Sequence, residues 1–401
     1  MELLGSHELA HIFAQLTNPA DMARARAVCH KWRDAISPPC IDGAPISDVL
    51  RLAPNKLLET SCRVNSIELA KYAINHGATD YDVCLYTVCK NGHKETAELI
   101  ISHGATTFND GLYGACEGGH KEIAELMIKH GITEIDRGLW GACHGGHKEL
   151  AEIMISRGAT NFDWGLIAAC EGGHKEMVEF MISRGAISFN WGLRGACKGG
   201  HKEIAEFMIS RGANDFNSGL ISACKGGRAE TAELMISHGA TNFNGGLHYA
   251  CKGSRKENSF LEKRKRKDIA ELMISRGATG FDWGLYYACE SGQKEIVELL
   301  ISHGATGFDW GLHGACERGQ KEIVELLISH GATYFDGGLL GACNGGHKEI
   351  AELMIDRGAT SFDRGLCGAC RGDHPETAKL IGKHAPTIVC RCCGRLGAEH
   401  V

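Results

Sequence analysis

Cysteine is the residue type with the most chemical capacity in this chain of 401 residues, where it occurs 19 times. Twelve of the cysteines are in phase: Cys62, Cys89, Cys116, Cys143, Cys170, Cys197, Cys224, Cys251, Cys289, Cys316, Cys343 and Cys370. Every step is 27 residues except Cys251 to Cys289, which is 38. Thiols ligate metals or pair as disulfides, and both uses demand convergence. Stacked repeats hold equivalent atoms about 10 Å apart. A disulfide needs Cα atoms within about 7 Å, and zinc needs its sulfur ligands at about 2.3 Å. A row meets neither demand, so the in-phase thiols read as small core fillers.

Histidine recurs in the same register. His93, His120, His147, His174, His201 and His347 follow Gly-Gly, or Asn-Gly at His93. Separated imidazoles do not form a catalytic site; helix capping or hydrogen bonding between repeats accounts for them. No H-E-x-x-H, phosphate-cradling loop or nucleophile elbow occurs, and nearly every acidic residue of the array belongs to a repeated element. The chain reads as a non-enzyme with no cofactor and no assigned metal site. Two segments keep other options open. The tail holds Cys390, Cys392 and Cys393 with His384 and His400 nearby, ligand types that suit zinc, although C-x-C-C is a poor match to the usual C-x2-C knuckle. An insertion over 254–267 contains Lys263-Arg264-Lys265-Arg266-Lys267, which reads as a nuclear-import signal, an anionic contact or a solvated loop.

The elements behind this register follow from the period. Fixed self-similarity at this length means a solenoid of stacked supersecondary units. The unit is roughly F-D-W-G-L-x-x-A-C-x-G-G-H-K-E-I-A-E-L-M-I-S-R-G-A-T. In the Cys116 repeat, Leu112, Ala115, Cys116 and Gly119 make one narrow helix face, and Ile123, Ala124, Leu126 and Met127 make a second. Gly118-Gly119 is expected to break the chain between them, and Gly131 to close the second helix. Glu122 and Glu125 favour that helix's positive end. Neither helix is long enough to fold alone, so stability must come from stacking. Composition agrees: there are 53 glycines but only 7 prolines, and none lies between Pro54 and Pro375. Apolar residues at 43% and a net charge of -6 argue against a disordered chain and against a global pull toward nucleic acid. No apolar run is long enough to span a membrane. Met1-Glu2-Leu3-Leu4 lacks the basic start of a secretory signal, so reduced intracellular thiols are expected.

The pattern G-L-x-x-A-C-x-G-G-H-K-E-I-A-E-L-M-I-S-R-G-A resembles ankyrin repeats. Gly165 to Ala186 and Gly284 to Ala305 follow it closely, and the resemblance covers about residues 55–385. The family period is about 33 residues, so this unit is six shorter, and the missing residues are those of the projecting β-hairpin. The T-P-L-H start is also absent. The resemblance implies helix pairs with clipped loops and little or no strand. Short-period arrays of this kind are similar to those encoded by giant DNA viruses.

Residues 1–40 have another pattern. Glu8-Leu9, Ile12-Phe13, Leu16, Asp21-Met22, Val28-Cys29 and Trp32-Arg33 resemble an F-box, with the usual L-P replaced by Gly5-Ser6. The family's partner is the Skp-type adaptor of cullin ubiquitin ligases, so the resemblance implies adaptor contacts through Leu9, Ile12, Phe13, Leu16, Val28 and Trp32. The other reading is a three-helix cap over the first repeat. Residues 41–55 read as a linker, 56–385 as about twelve repeats and 386–401 as a cysteine-containing tail. The expected fold is all-α: an ankyrin-like helix-pair solenoid with an N-terminal three-helix F-box.

The core letters hardly change between repeats, yet the positions flanking Gly-Leu vary. After it stand Tyr113, Trp140, Arg194, His248, Tyr286 and His313; before it stand Trp164, Trp191, Trp283 and Trp310. Aromatic residues and arginine dominate binding hot spots, so these ten residues are the expected target-binding edge. The competing reading packs the tryptophans between adjacent loops. Together the features describe an adaptor that holds a protein target on its repeats and a cullin-type ligase on its F-box. The alternative is a scaffold that only sequesters its partner. Neither nucleic acid nor membrane is an expected partner. The expected location is the cytoplasm, of a host cell if the chain is viral, with Lys263–Lys267 as a route to the nucleus.

Overall fold

The computed structural model describes residues 40–41, 44–45, 52–253, 260–390 and 392–394. Cys40–Ile41 pairs antiparallel with Ala44–Pro45, with Cys40 opposite Pro45. The remaining described elements are 24 α-helices in consecutive pairs, from Pro54–Val64 to Pro375–His384. They belong to two compact units, 1–188 and 189–401. Each is a helix-pair solenoid.

The repeat built on Cys116 explains both units. Its first helix is Phe108–Gly118 and its second is Lys121–Lys129. The expected break at Gly118-Gly119 falls on Gly119 alone. Gly118 stays helical, while Gly119 turns left-handed at φ 81 and lets the His120 N–H reach the Ala115 carbonyl at 2.8 Å. The same device closes second helices. Gly158 has φ 102, and the Ala159 N–H returns to the Met154 carbonyl at 3.0 Å. The recurring G-A is therefore a helix stop whose alanine is buried.

Leu112, Ala115 and Cys116 of the first helix and Ile123, Ala124 and Met127 of the second are buried, as expected from their spacing. The cysteines Cys116, Cys143 and Cys170 in the first unit, and Cys197 through Cys343 in the second, are fully buried thiols outside any disulfide. Burial pushes the thiols of Cys116, Cys143 and Cys170 up to about 12. Only the thiolate is nucleophilic, so roughly one in ten thousand of these groups is reactive at pH 8. Iodoacetamide is expected to leave Cys116, Cys143 and Cys170 unmodified in the native chain and to modify all three in denaturant. Peptide mass mapping reads this directly, and rapid native labelling of Cys143 would contradict the burial.

Two ties join successive repeats. The first is an Asp or Asn directly after the phenylalanine position. Asp136 Oδ1 accepts the Thr160 and Asn161 N–H groups, each at 2.9 Å. In the second unit Asn217 Oδ1 accepts those of Thr241 at 2.8 Å and Asn242 at 2.9 Å. The pairing recurs from Asn55 to Asp336. It satisfies two loop amides where a longer repeat would place a hairpin. The backbone N–H groups of Thr106, first, and of Thr107 hold Asp82 below the usual carboxylate range.

The second tie is the histidine row. His120 Nε2 donates to the Lys90 carbonyl at 3.1 Å and His147 Nε2 to Glu117 at 3.2 Å. In the second unit His347 and His374 do the same to Glu317 and Asn344. Each accepting carbonyl lies at the end of the preceding first helix, where carbonyls lack intrahelical partners. Hydrogen bonding between repeats is thus the role these imidazoles take.

Of the three readings of the basic run, the structure excludes the solvated loop. Phe260–Ser275 is one continuous helix of 16 residues, so Lys263–Lys267 is helical. Lys and Arg are good helix formers, and the pairs Lys265–Glu262 and Lys267–Glu271 support the turn. Residues 254–259 lie outside the described residues.

Candidate functional site

In the first unit the varying positions of the first helices line up. Tyr86 stacks on Tyr113 at 5.6 Å, and Trp140 meets Trp164 edge-on at 6.0 Å. Trp164 remains 50% exposed. Burial, reinforced by the Glu117 charge, pushes the Tyr113 hydroxyl up to about 12. Beneath the tyrosines lies a polar node. Glu117 accepts hydrogen bonds from the Tyr86 hydroxyl at 2.6 Å and from Lys90 Nζ at 2.8 Å, with His144 Nδ1 at 3.1 Å.

The second unit presents the same register. Trp191 lies under the Arg194 guanidinium at 4.1 Å. His248 meets Tyr287 edge-on at 4.3 Å, and Tyr286 lies against Tyr287. Burial first, and Lys252 second, lower the His248 imidazole below its ordinary value. His313 Nδ1 donates to the Gly337 carbonyl at 2.8 Å. Trp283 and Trp310 are 71% and 74% exposed, which excludes packing between adjacent loops for these two. Lys198, Lys225 and Lys252 hold one position in three consecutive repeats, and all three are exposed.

Of the ten residues singled out, four tryptophans are exposed and the other six are half-buried along first helices. This arrangement offers flat aromatic faces, cations and a committed polar node, which are means of recognising a surface. The residues Leu9, Ile12, Phe13, Leu16, Val28 and Trp32 lie outside the described residues. The Glu117 node escaped the sequence reading; its signal is the alternation Lys90, Glu117, His144 at the position after the in-phase cysteine.

The ankyrin-repeat family matches residues 262–337 in three copies, and the F-box-like family matches residues 7–41. The chain carries an F-box-like segment and ankyrin repeats. No curated protein matches this chain. Among solved structures it is similar to the human ASB11 ankyrin repeat domain, at 20% identity over 49% of this chain and 84% of that one, with a TM-score of 0.26. It is also similar to the maize pentatricopeptide repeat protein PPR10, at 15% identity and a TM-score of 0.33. That match covers 95% of this chain and 63% of the maize chain. No helix among the described residues is long and apolar enough to cross a membrane.

A separate group of side chains gathers at the C-terminal end. Cys367 and Cys392 are joined as a disulfide, and Cys370, Cys390 and Cys393 lie beside them. The sequence reading gives Cys367 no role and places Cys370 among the core fillers. The signal was present: Cys367-Gly368-Ala369-Cys370 and Cys390-Arg391-Cys392-Cys393 are both C-x2-C frames.

Proposed function

We propose that this F-box and ankyrin-repeat chain is a substrate-recognition adaptor of a cullin-type ubiquitin ligase. Residues 1–40 dock the Skp-type adaptor, 41–55 connect, and the repeats over 56–385 hold a protein target so that the ligase modifies it by proximity. The observation that carries the reading is the presence in one chain of an F-box-like match at 7–41 and a repeat surface with exposed Trp164, Trp191, Trp283 and Trp310. The chemistry of ubiquitin transfer belongs to the partner complex. Exposed Lys198, Lys225 and Lys252, on three successive first helices of which the first carries Trp191 and Arg194, favour a target with acidic and aromatic side chains.

Two variants of the full chain test the two halves. The triple variant Leu9→Asp, Phe13→Asp, Trp32→Asp is expected to lose the Skp-type adaptor in pull-down while keeping its helical circular dichroism. Trp283→Ala with Trp310→Ala is expected to keep the adaptor and to weaken target capture by roughly 30-fold or more per tryptophan. Adaptor binding that survives the triple variant removes the ligase reading and leaves a scaffold that sequesters its partner.

A further inference from the structure

The repeat pattern stops after the helix pair Phe362–Arg371 and Pro375–His384, and residues 386–394 do not continue it. In the first helix of that pair the in-phase Cys370 is half-exposed, whereas Cys343 one repeat earlier is fully buried. The tail returns to this end, burying Ala385 and Cys390. Two C-x2-C frames meet there. The sulfur atoms of Cys370, Cys390 and Cys393 lie within 4.8 Å of one another, and so do those of Cys367, Cys390 and Cys392. Cys390 is the shared corner. Cys393 Sγ and Cys370 Sγ are 3.9 Å apart, close to the ~3.8 Å edge of a tetrahedron with ~2.3 Å metal–sulfur bonds.

The Gly394 N–H donates to the Cys390 carbonyl at 2.8 Å, and Gly394 takes φ 71, a left-handed position that suits glycine. Arg371 Nη2 donates to Cys367 Sγ at 3.7 Å and to Cys392 Sγ at 3.8 Å, placing a positive charge where thiolates would form.

We infer that Cys367, Cys370, Cys390 and Cys393 form a structural tetrathiolate zinc site that fastens the tail across the open end of the last repeat. Four sulfurs with no open position are the closed ligand set of structural zinc. Cys392 is the fifth thiol. Its disulfide with Cys367 is the oxidised alternative, which removes one ligand. A small-molecule dithiol returns two electrons and two protons to that bond, releasing both thiols and leaving as its own disulfide. Zinc(II) then displaces four protons from four thiols and binds them as thiolates. The role follows from the architecture. A solenoid needs a terminal cap, and a tail as short as 386–401 buries too little apolar area to hold itself. His384 is not part of the ligand set; it stacks on Phe362 at 6.1 Å.

The test uses the full chain, produced in zinc-supplemented medium, purified in dithiothreitol and assayed by inductively coupled plasma mass spectrometry. One zinc per chain is expected. The double variant Cys390→Ser, Cys393→Ser is expected to lose it, and Cys392→Ser to keep it. Cobalt(II) added to the metal-free wild-type chain is expected to give the visible absorption of a tetrahedral thiolate complex, a readout that needs no variant. A reduced wild-type chain that takes up neither metal overturns the assignment. So does full zinc in the double variant, or zinc loss in Cys392→Ser equal to that of the double variant.

Discussion

Gly145→Ala lowers the stability of the first unit by about 3 kcal/mol, the upper end for an overpacked core, read as a fall in the urea midpoint. Gly145 is the last residue of the helix Ile135–Gly145 and has no left-handed backbone to excuse it. Alanine is the better helix former by about 1 kcal/mol, so on propensity alone the change should stabilise. What forbids it is the neighbouring repeat: a Cβ at Gly145 would overlap the backbone carbonyl oxygen of Glu117. That carbonyl cannot rotate away as a side chain would, and it also accepts the His147 hydrogen bond at 3.2 Å. The first helices must separate and lose the tie. Gly158→Ala is the control. It has φ 102 but nothing within 4 Å of its added Cβ, so its cost is backbone strain alone, about 1 kcal/mol. Equal losses for the two variants would mean that close approach of first helices does not set the stability of the stack.

The same contrast explains what was legible in the sequence. The period of 27 residues and the apolar spacing of Leu112, Ala115 and Cys116 placed the helix pairs, because local preference and burial point the same way there. Glycine letters alone did not separate Gly145, which makes room for a neighbour, from Gly158, which turns the chain. That difference exists only once the next repeat is in place. The Asp and Asn clamps were illegible for a related reason. Asp136 looks like a first-turn acidic residue, yet its acceptor faces amides 24 and 25 residues later. The basic run failed differently, since a charge run specifies solvation but not backbone, and Lys263–Lys267 is helical because the helix that follows extends through it. Cys367 was missed because the strict phase drew attention to Cys370 and hid the second cysteine three residues before it.

Glu117→Gln is expected to remove about 3 kcal/mol of stability near pH 7 and most of the first unit's acid lability. The Glu117 side chain is only 7% exposed. Burial works to raise its carboxyl, but hydrogen bonds from His144, Lys90 and Tyr86, in that order, bring it down to about 2 from its ordinary 4.5. A carboxyl depressed on folding contributes stability that is fully present above its unfolded value and is lost as pH falls through the folded value. The window is therefore pH 4.5 to about 2. A glutamine keeps the shape and can still accept the Tyr86 hydroxyl, but it brings no charge to Lys90. Thermal melts of wild type should fall steeply across that window, while those of Glu117→Gln start lower and stay nearly level. Melting curves that coincide at pH 7 would show that exposure of Lys90, at 42%, lets solvent screen away the pairing. The consequence reaches the aromatic row. Glu117 fixes the hydroxyl of Tyr86, and Tyr86 stacks on Tyr113, so the charge that stabilises these repeats also sets the tilt of the aromatic faces proposed to meet a target.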